Sequence, residues 1–275
     1  MCGISGFYSK NSSTFNNVIL KMNSAISHRG PDSGKVWQDK NSGIIFGHQR
    51  LSILDLSKAG DQPMISNSGR FVITFNGEIY NHLEIRKELK EINSNIKWKS
   101  GTDTETLLEA IELMGIKKTL NKIEGIWSFI FYDFKKEKIY ISRDPLGIKP
   151  LFYYYKNKKL IISSSIKTIF KSSPKNFYLD KSTVKTFIKK GNLNQDNNTF
   201  FKGIKVFPAA NYATYDLNLS KINFFRYWKI KKKENNFIKK NYKKIQTSIE
   251  SHFNYNKNTA LPLSYGLDSN ILHKY

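Results

Sequence analysis

Short apolar segments separated by turn residues run through the first 165 residues of the chain. Each is five to seven residues long and rich in Ile, Val, Phe and Tyr, which at this length favours strands over helices. Such strands pair into sheets, because their backbone groups need hydrogen-bond partners. We therefore predict a sheet-rich domain with strands at residues 43–47, 70–75, 127–133, 138–142 and 159–163.

Two helices are predicted among these strands, from apolar residues that recur at helical spacing. One begins near His82. The other covers residues 103–114, and Thr102 and Glu105 form a capping-box pattern at its start. The apolar stripes are Leu83, Ile85, Leu89 and Ile92 in the first helix and Leu107, Ile111 and Met114 in the second.

The chain has 275 residues and one cysteine, so it is long enough for one large or two modest domains and holds no internal disulfide. The cysteine count is typical of a reducing compartment. No segment approaches the roughly 18 apolar residues of a membrane span. We expect a cytoplasmic protein with no membrane partner.

The net charge of +23 raises the question of nucleic-acid binding. The lysines are scattered among asparagines and isoleucines, and the densest tract, residues 229–244, is typical of a solvated linker and helix face. The five histidines show no metal-ligand spacing. We therefore predict neither a nucleic-acid partner nor a bound metal.

Cys2 follows the initiator methionine, so removal of Met1 leaves a thiol and a free α-amine on one residue. The amine titrates near about pH 8, close to the thiol, and can accept the thiol proton without a distant histidine. Taken alone, a single cysteine is more often an inert buried residue. The surrounding motifs favour the catalytic interpretation.

Six motifs cover residues 2–4, 28–32, 47–53, 75–81, 102–105 and 143–150. In their order and spacing the chain resembles the glutamine-hydrolysing asparagine synthetases. The resemblance implies an α+β fold of the N-terminal-nucleophile type, a four-layer αββα sandwich of two antiparallel sheets, followed by a short incomplete α/β segment. It implies a glutaminase domain at residues 1–228, and a linker, a helix and the truncated start of an ATP-binding synthetase domain at residues 229–275.

The same resemblance implies roles for individual residues in hydrolysing glutamine to glutamate and ammonia, a step that needs no cofactor. The cysteine is the nucleophile, while the asparagine amide and the glycine N–H form the oxyanion hole. The arginine holds the α-carboxylate of glutamine, and the acidic side chains receive its α-ammonium. The implied catalytic residues are Cys2, Asn76 and Gly77, and the implied substrate-binding residues are Arg50, Leu51, Ile53, Glu78 and Asp103.

Several of these motifs also have a purely structural interpretation. Asn76-Gly77 is a common hairpin turn, Asp103 can complement a helix dipole, and Arg50 alone is typical of a surface arginine. We interpret residues 28–32 mainly as a loop around the thiol, and residues 143–150 most simply as a shaped turn between strands.

Beyond residue 229 the resemblance is to the start of a synthetase domain. Residues 238–253 predict an amphipathic helix and residues 260–263 a strand. In the next loop Tyr265 replaces a glycine of the family's phosphate-binding pattern, and the rest of the family's synthetase domain does not follow in this sequence. Mainly for the second reason, we expect the ATP and magnesium of the full-length family not to bind productively here. The degenerate loop consists of Ser264, Tyr265, Gly266, Asp268 and Ser269.

The acceptor of the ammonia stays open at this point. The leading hypothesis is asparagine biosynthesis, with a separate synthetase chain or a homodimer as a partner. The alternatives are transfer to a sugar or peptide carboxylate, and a non-catalytic relic that only binds glutamine.

Overall fold

The computed structural model describes residues 1–10, 15–172, 177–191, 197–230, 243, 246–250 and 263–273. The chain divides into two compact units, Met1–Lys229 and Ile230–Tyr275, and each is described by itself. None of the helices within the described ranges is long and apolar enough to cross a membrane.

Two antiparallel six-stranded sheets form the centre of the first unit. The first sheet has the order β10-β8-β9-β1-β3-β2, and the second has the order β12-β11-β7-β6-β5-β4. The strands are β1 (Gly3–Tyr8), β2 (Ser33–Asp39), β3 (Ile44–Arg50), β4 (Met64–Ile65), β5 (Phe71–Ile79), β6 (Gly125–Asp133), β7 (Lys138–Arg143), β8 (Phe152–Lys156), β9 (Lys159–Ser163), β10 (Ile204–Val206), β11 (Asn211–Asp216) and β12 (Lys221–Arg226).

Helices cover the outer face of each sheet. Helices α1 and α5 lie on the first sheet, α3 lies on the second sheet, and α2 and α4 pack against α3. The helices of this unit are α1 (Phe15–Ser24), α2 (His82–Ile92), α3 (Asp103–Met114), α4 (Ile116–Lys122), α5 (Ile166–Ser172) and α6 (Lys181–Lys190). The layer order is helix, sheet, sheet, helix, which confirms the predicted αββα sandwich.

Three apolar clusters hold the sandwich together. Successive side chains of a strand point to opposite faces of its sheet, so neighbouring residues belong to different clusters. On β5, Val72 points into the layer between the sheets, whereas Phe71 and Ile73 point outward to α3. On β3, Ile44 and Phe46 face the layer between the sheets. Because both faces of these strands are buried, their first residues, 44–46 in β3 and 71–73 in β5, are continuously apolar instead of alternating.

Several sequence predictions needed correction. The prediction of two helices before residue 165 missed α1 and α4. The apolar residues of α1 include the consecutive run 18–20, which does not mark one helix face, and α4 is only seven residues long. The predicted stripe of α2 is half wrong, because Ile85 and Leu89 are buried but Leu83 and Ile92 are more than half exposed. Helix α2 lies at the periphery and buries only one narrow face.

The N-terminus of α3 is built largely as predicted. The Thr102 hydroxyl accepts a hydrogen bond from Glu105 N at 3.4 Å. The Glu105 carboxylate does not reach back to Thr102 but accepts from the N–H groups of Lys99 and Ser100, both at 2.8 Å. Only the Thr102 half of the capping box is therefore formed, and the Glu105 carboxylate binds the backbone of the preceding loop instead.

The second unit contains helix α7 (Leu267–His273) and the turn that precedes it. Most of the predicted helix 238–253 and the predicted strand 260–263 fall outside the described residues, although residues 246–250 are helical.

The two faces of α2 provide a matched test of the core. Leu89→Ala should lower the free energy of unfolding by about 2–5 kcal/mol, because the side chain is fully buried and its removal leaves a cavity. Ile92→Ala, on the exposed face of the same helix, should change it by less than about 0.5 kcal/mol. Urea unfolding measures both, and equal losses would contradict the packing described for α2.

Candidate active site

One pocket of about 210 Å³ collects residues from both sheets and from α3. It is smaller than the roughly 300–1,000 Å³ of pockets for drug-sized ligands, so its ligand is small. All eight residues that the sequence assigned to catalysis or substrate binding line it, together with nine others. The eight are Cys2, Arg50, Leu51, Ile53, Asn76, Gly77, Glu78 and Asp103.

The pocket forms where the layer between the sheets changes from apolar to polar. Along β3, the alternate positions that face this layer run from Phe46 through His48 to Arg50. Along β5 they run from Val72 through Thr74 to Asn76 and Glu78, and Cys2 precedes Ile4 in the same way. The first sheet therefore supplies the thiol and the arginine, and the second supplies the amide and one carboxylate.

The Cys2 thiol lies against the backbone of Leu51. Leu51 N donates to Sγ at 3.3 Å, and Sγ lies 3.6 Å from Leu51 O. Burial raises the pKa of this thiol, while the Leu51 N–H and the positive charges of the chain's N-terminus and Lys149 act in the opposite direction. A thiol in this environment needs a nearby base to become a nucleophile at neutral pH.

Asn76 carries a hydrogen-bond donor that has no partner among the described residues. Its side chain is 1% exposed, and its Nδ2 is buried without an acceptor. Leaving such a donor unsatisfied costs about 1–3 kcal/mol, so the site is arranged for an acceptor that arrives with a ligand. The neighbouring Gly77 is required by packing, since a Cβ there would lie 2.5 Å from the carbonyl oxygen of Ile126.

The hairpin-turn interpretation of Asn76-Gly77 is wrong. Both residues lie inside β5, where Asn76 pairs with Ser128 and Gly77 pairs with Trp127. The dipeptide is therefore held in a strand that is paired along its length, and the Asn76 amide has a defined direction.

Arg50 is 6% exposed, so the surface-arginine interpretation is also wrong. Its Nη1 donates to Ser57 O at 2.7 Å and to Asp61 Oδ1 at 3.0 Å, and its Nη2 donates to Asp55 O. These acceptors fix the plane of the guanidinium at the pocket wall. The Arg50 N–H groups that do not donate to these three acceptors are available to a ligand carboxylate.

Asp103 occupies the first turn of α3, yet its carboxylate reaches across to β5. Oδ2 accepts from Ile79 N at 2.9 Å, and the residue is 5% exposed. Burial raises the pKa of Asp103 to about 7, and the Glu78 carboxylate adds to the effect although the Ile79 N–H opposes it. A carboxyl in this state is stabilised as an anion by any cation that enters the pocket.

Lys149 is a pocket residue that the sequence analysis missed. It is 4% exposed, and its Nζ lies 3.9 Å from Glu78 Oε1, beyond hydrogen-bond distance. The only signal in the sequence was its place in the 143–150 motif, which we had interpreted as a turn. A buried ammonium is costly unless charge or hydrogen bonds compensate it, so it marks a site where negative charge is expected.

The 143–150 segment is indeed a turn, and it is built to hold Lys149. The buried Asp144 carboxylate accepts from the N–H groups of Leu146, Ile148 and Lys149, at 2.9 to 3.1 Å. The Arg143 side chain donates to Lys149 O at 2.8 Å. The backbone of Lys149 is therefore fixed on both sides.

Residues 28–32 contact the site from behind. Arg29 Nε donates to Cys2 O at 3.1 Å, and Asp32 Oδ2 accepts from Ser52 N at 2.7 Å. Neither these two residues nor His28 lines the pocket. The segment acts as a scaffold for the backbone that carries the thiol.

Gln62 is a second pocket residue that the sequence analysis missed. Its Oε1 accepts from Phe75 N at 2.7 Å, and its Nε2 donates to Thr104 Oγ1 at 3.1 Å. It therefore connects β5 to the start of α3, next to Asn76 and Asp103.

The loop of residues 264–269 does not fit a phosphate cradle. The N–H groups of Ser264 and Gly266 are hydrogen-bonded to the Ser269 and Ser264 hydroxyls, both at 3.1 Å, and the Tyr265 side chain is fully exposed. Backbone donors that are already occupied are not available to phosphate oxygens. Within the described ranges, no cluster of three His, Cys, Asp or Glu side chains could hold a metal ion.

The influence of Lys149 on the thiol can be measured directly, because Cys2 is the only cysteine of the chain. In Lys149→Met, loss of the ammonium should raise the pKa of the thiol further, so iodoacetamide should alkylate Cys2 about several-fold more slowly near neutral pH. Lys138→Met, at the start of β7 and outside the pocket, is the control and should alkylate as wild type does. An unchanged rate in Lys149→Met would show that the ammonium does not act on the thiol.

Comparison with known proteins identifies the domain. Residues 1–228 match the family described as glutamine amidotransferase domain. A putative asparagine synthetase (glutamine-hydrolysing) of Methanocaldococcus jannaschii is 32% identical over 99% of this chain and 56% of its own length. Asparagine synthetase B of Escherichia coli is 27% identical over 99% of this chain and 44% of its own. The chain thus spans about half the length of these relatives.

A solved structure has the same fold. Glutamine phosphoribosylpyrophosphate amidotransferase from B. subtilis covers 83% of this chain and 50% of its own chain, with a TM-score of 0.60 and 13% sequence identity. At that identity the likeness concerns the fold alone. The motif-based resemblance is confirmed by the match over residues 1–228, and the chain belongs to the glutamine amidotransferase domain family.

Proposed function

We propose that this chain hydrolyses the side-chain amide of glutamine to glutamate and ammonia, with Cys2 as the nucleophile. The observation that carries the proposal is the buried Nδ2 of Asn76, which finds no acceptor among the described residues and lies in the same pocket as the only thiol of the chain. A buried donor without an acceptor is what a developing oxyanion requires.

In the proposed reaction, removal of Met1 exposes the α-amine of Cys2, which takes the thiol proton. The thiolate attacks the amide carbon, and the oxygen becomes an anion that accepts hydrogen bonds from Asn76 Nδ2 and the Gly77 N–H. Collapse breaks the C–N bond, and the α-ammonium returns its proton to the leaving ammonia. Water, deprotonated by the same amine, then hydrolyses the thioester and restores the thiol.

Charge complementarity supports glutamine as the amino acid that binds. The remaining N–H groups of Arg50 suit an α-carboxylate, and the carboxylates of Asp103 and Glu78 suit an α-ammonium. Leu51 and Ile53 also line the pocket, and we assign them to glutamine binding with Arg50, Glu78 and Asp103. The proposed reaction uses protein groups and water, and we expect it to need no cofactor.

The names of the relatives suggest where the ammonia goes. We propose that it serves asparagine biosynthesis in the cytoplasm, with the synthetase step on a further part of the polypeptide or on a partner chain. No feature of the described residues favours a sugar or peptide carboxylate as the acceptor, or a relic that only binds glutamine.

The nucleophile and the oxyanion donor are tested together by ammonia release from glutamine, after mass analysis has shown that Met1 is absent. Cys2→Ala should abolish turnover. Asn76→Ala should lower kcat by about 100-fold to 1,000-fold, because it removes one oxyanion donor, and should leave KM nearly unchanged. Turnover that survives in Cys2→Ala would exclude this function.

The pH dependence of KM tests the role of Asp103. Because the pKa of this carboxyl is raised to about 7, it loses its charge as the pH falls through 7, and with it the attraction for the α-ammonium. KM for glutamine should therefore rise by about tenfold per pH unit below about pH 7.

In Asp103→Asn, KM should be high at every pH and should no longer vary over this range. The saturated rate should change far less than KM. A collapse of kcat with an unchanged KM would instead indicate a role for Asp103 in the chemistry.

A further inference from the structure

The two halves of the site belong to different sheets. Cys2 precedes β1 in the first sheet, and Asn76 and Gly77 lie on β5 in the second sheet. Backbone ladders fix positions within a sheet but not between sheets. The separation of the nucleophile from the oxyanion donors therefore depends on contacts across the layer between the two sheets.

Two buried hydrogen bonds cross that layer beside the site. The Thr74 hydroxyl on β5 donates to Gly47 O on β3 at 3.3 Å. His48 on β3 donates from Nε2 to Phe75 O on β5 at 3.1 Å. Thr74 is fully buried, and His48 is 1% exposed. Successive residues of β3 thus bind successive residues of β5, directly before Asn76.

The nucleophile strand joins the same contact. The Ser5 hydroxyl on β1 donates to Gly47 O at 3.4 Å, so one carbonyl accepts hydrogen bonds from both β1 and β5. Ser5 is fully buried and lies three residues after Cys2. The contact therefore connects the strand that carries the thiol with the strand that carries the oxyanion donors.

His48 is suited to a permanent structural bond. Burial lowers the pKa of His48 to about 4, although its hydrogen bond to Phe75 O acts in the opposite direction. The ring is therefore neutral at physiological pH, and the nitrogen that faces a carbonyl oxygen carries the proton. A directional bond of this kind restricts sliding between packed sheets more than apolar contacts do.

We propose that Thr74 and His48, through their bonds to Gly47 and Phe75, form an inter-sheet clasp that sets the distance between Cys2 and Asn76. They act as positioning residues, because neither lines the pocket. The inference rests on the proposed glutaminase function. A displacement of about 1 Å between reacting groups can lower a rate about 100-fold, so the clasp should control kcat and not binding.

Thr74→Val tests the clasp, because it keeps the shape of the side chain and removes the donor. We expect kcat to fall by about tenfold or more while KM stays within about twofold. Thr74→Ser, which keeps the hydroxyl, should retain most of the rate. His48→Gln keeps an N–H near the Phe75 carbonyl, so its kcat should be higher than that of His48→Leu.

Tyr155→Phe is the matched control. Tyr155 on β8 donates to Ser220 O at 2.5 Å, next to β12 of the other sheet, and Tyr155 does not line the pocket. Its removal should leave kcat unchanged. If Thr74→Val and Tyr155→Phe lower kcat equally, the effect is a general loss of packing and the clasp is refuted.

Hydrogen exchange separates this inference from the proposed function. Loss of the clasp should accelerate exchange at the backbone amides of Asn76 and Gly77 in Thr74→Val, and Tyr155→Phe should not. The exchange rates can be measured even if the wild-type protein releases no ammonia. That result would refute the glutaminase proposal and would leave the clasp to be decided by hydrogen exchange. Unchanged exchange at both amides in Thr74→Val would overturn the clasp.

Discussion

The burial of two sheets against each other is the constraint on which the site depends. Ile4, Phe46 and Val72 hold the apolar part of the layer between the sheets, and they bring Cys2, Arg50 and Asn76 together at its polar end. Neither sheet contains the complete set. The pocket is therefore formed by the packing of the sheets. A change that shifts one sheet against the other alters the distances between the pocket residues, even when the residues themselves stay the same.

Several groups of the pocket are costly to bury. In the part of the chain that the structure describes, the Asn76 Nδ2 lacks an acceptor, Asp103 has a raised pKa, and Lys149 Nζ lies 3.9 Å from Glu78 Oε1. Each of these groups is costly to bury, and the three apolar clusters offset that cost. A ligand that carries an ammonium, a carboxylate and a polarisable carbonyl would satisfy several of these groups together. The groups that lower the stability of the folded protein are therefore the same groups that select the ligand.

Local sequence patterns predicted the elements whose signal is strong. The predicted helix 103–114 and strand 159–163 have the observed bounds, because their apolar residues are dense and turn residues flank them. Helix α1 was missed because its consecutive Val18, Ile19 and Leu20 do not mark one helix face; the structure packs this helix against α5, β1 and β3. The exposed Leu83 and Ile92 show the opposite error, since periodicity indicates a face but not whether a neighbour covers it.

By itself, the sequence predicted the family and, through that resemblance, the sandwich fold and eight of the residues in the pocket, because the order and spacing of motifs can be seen in the chain alone. The roles of those residues stay predictions. Only the tertiary structure decided that Asn76-Gly77 lies inside a strand, that Arg50 is buried, and that Lys149 enters the pocket. These facts depend on which distant strands pack together, and burial and charge are set by neighbours that no local pattern specifies.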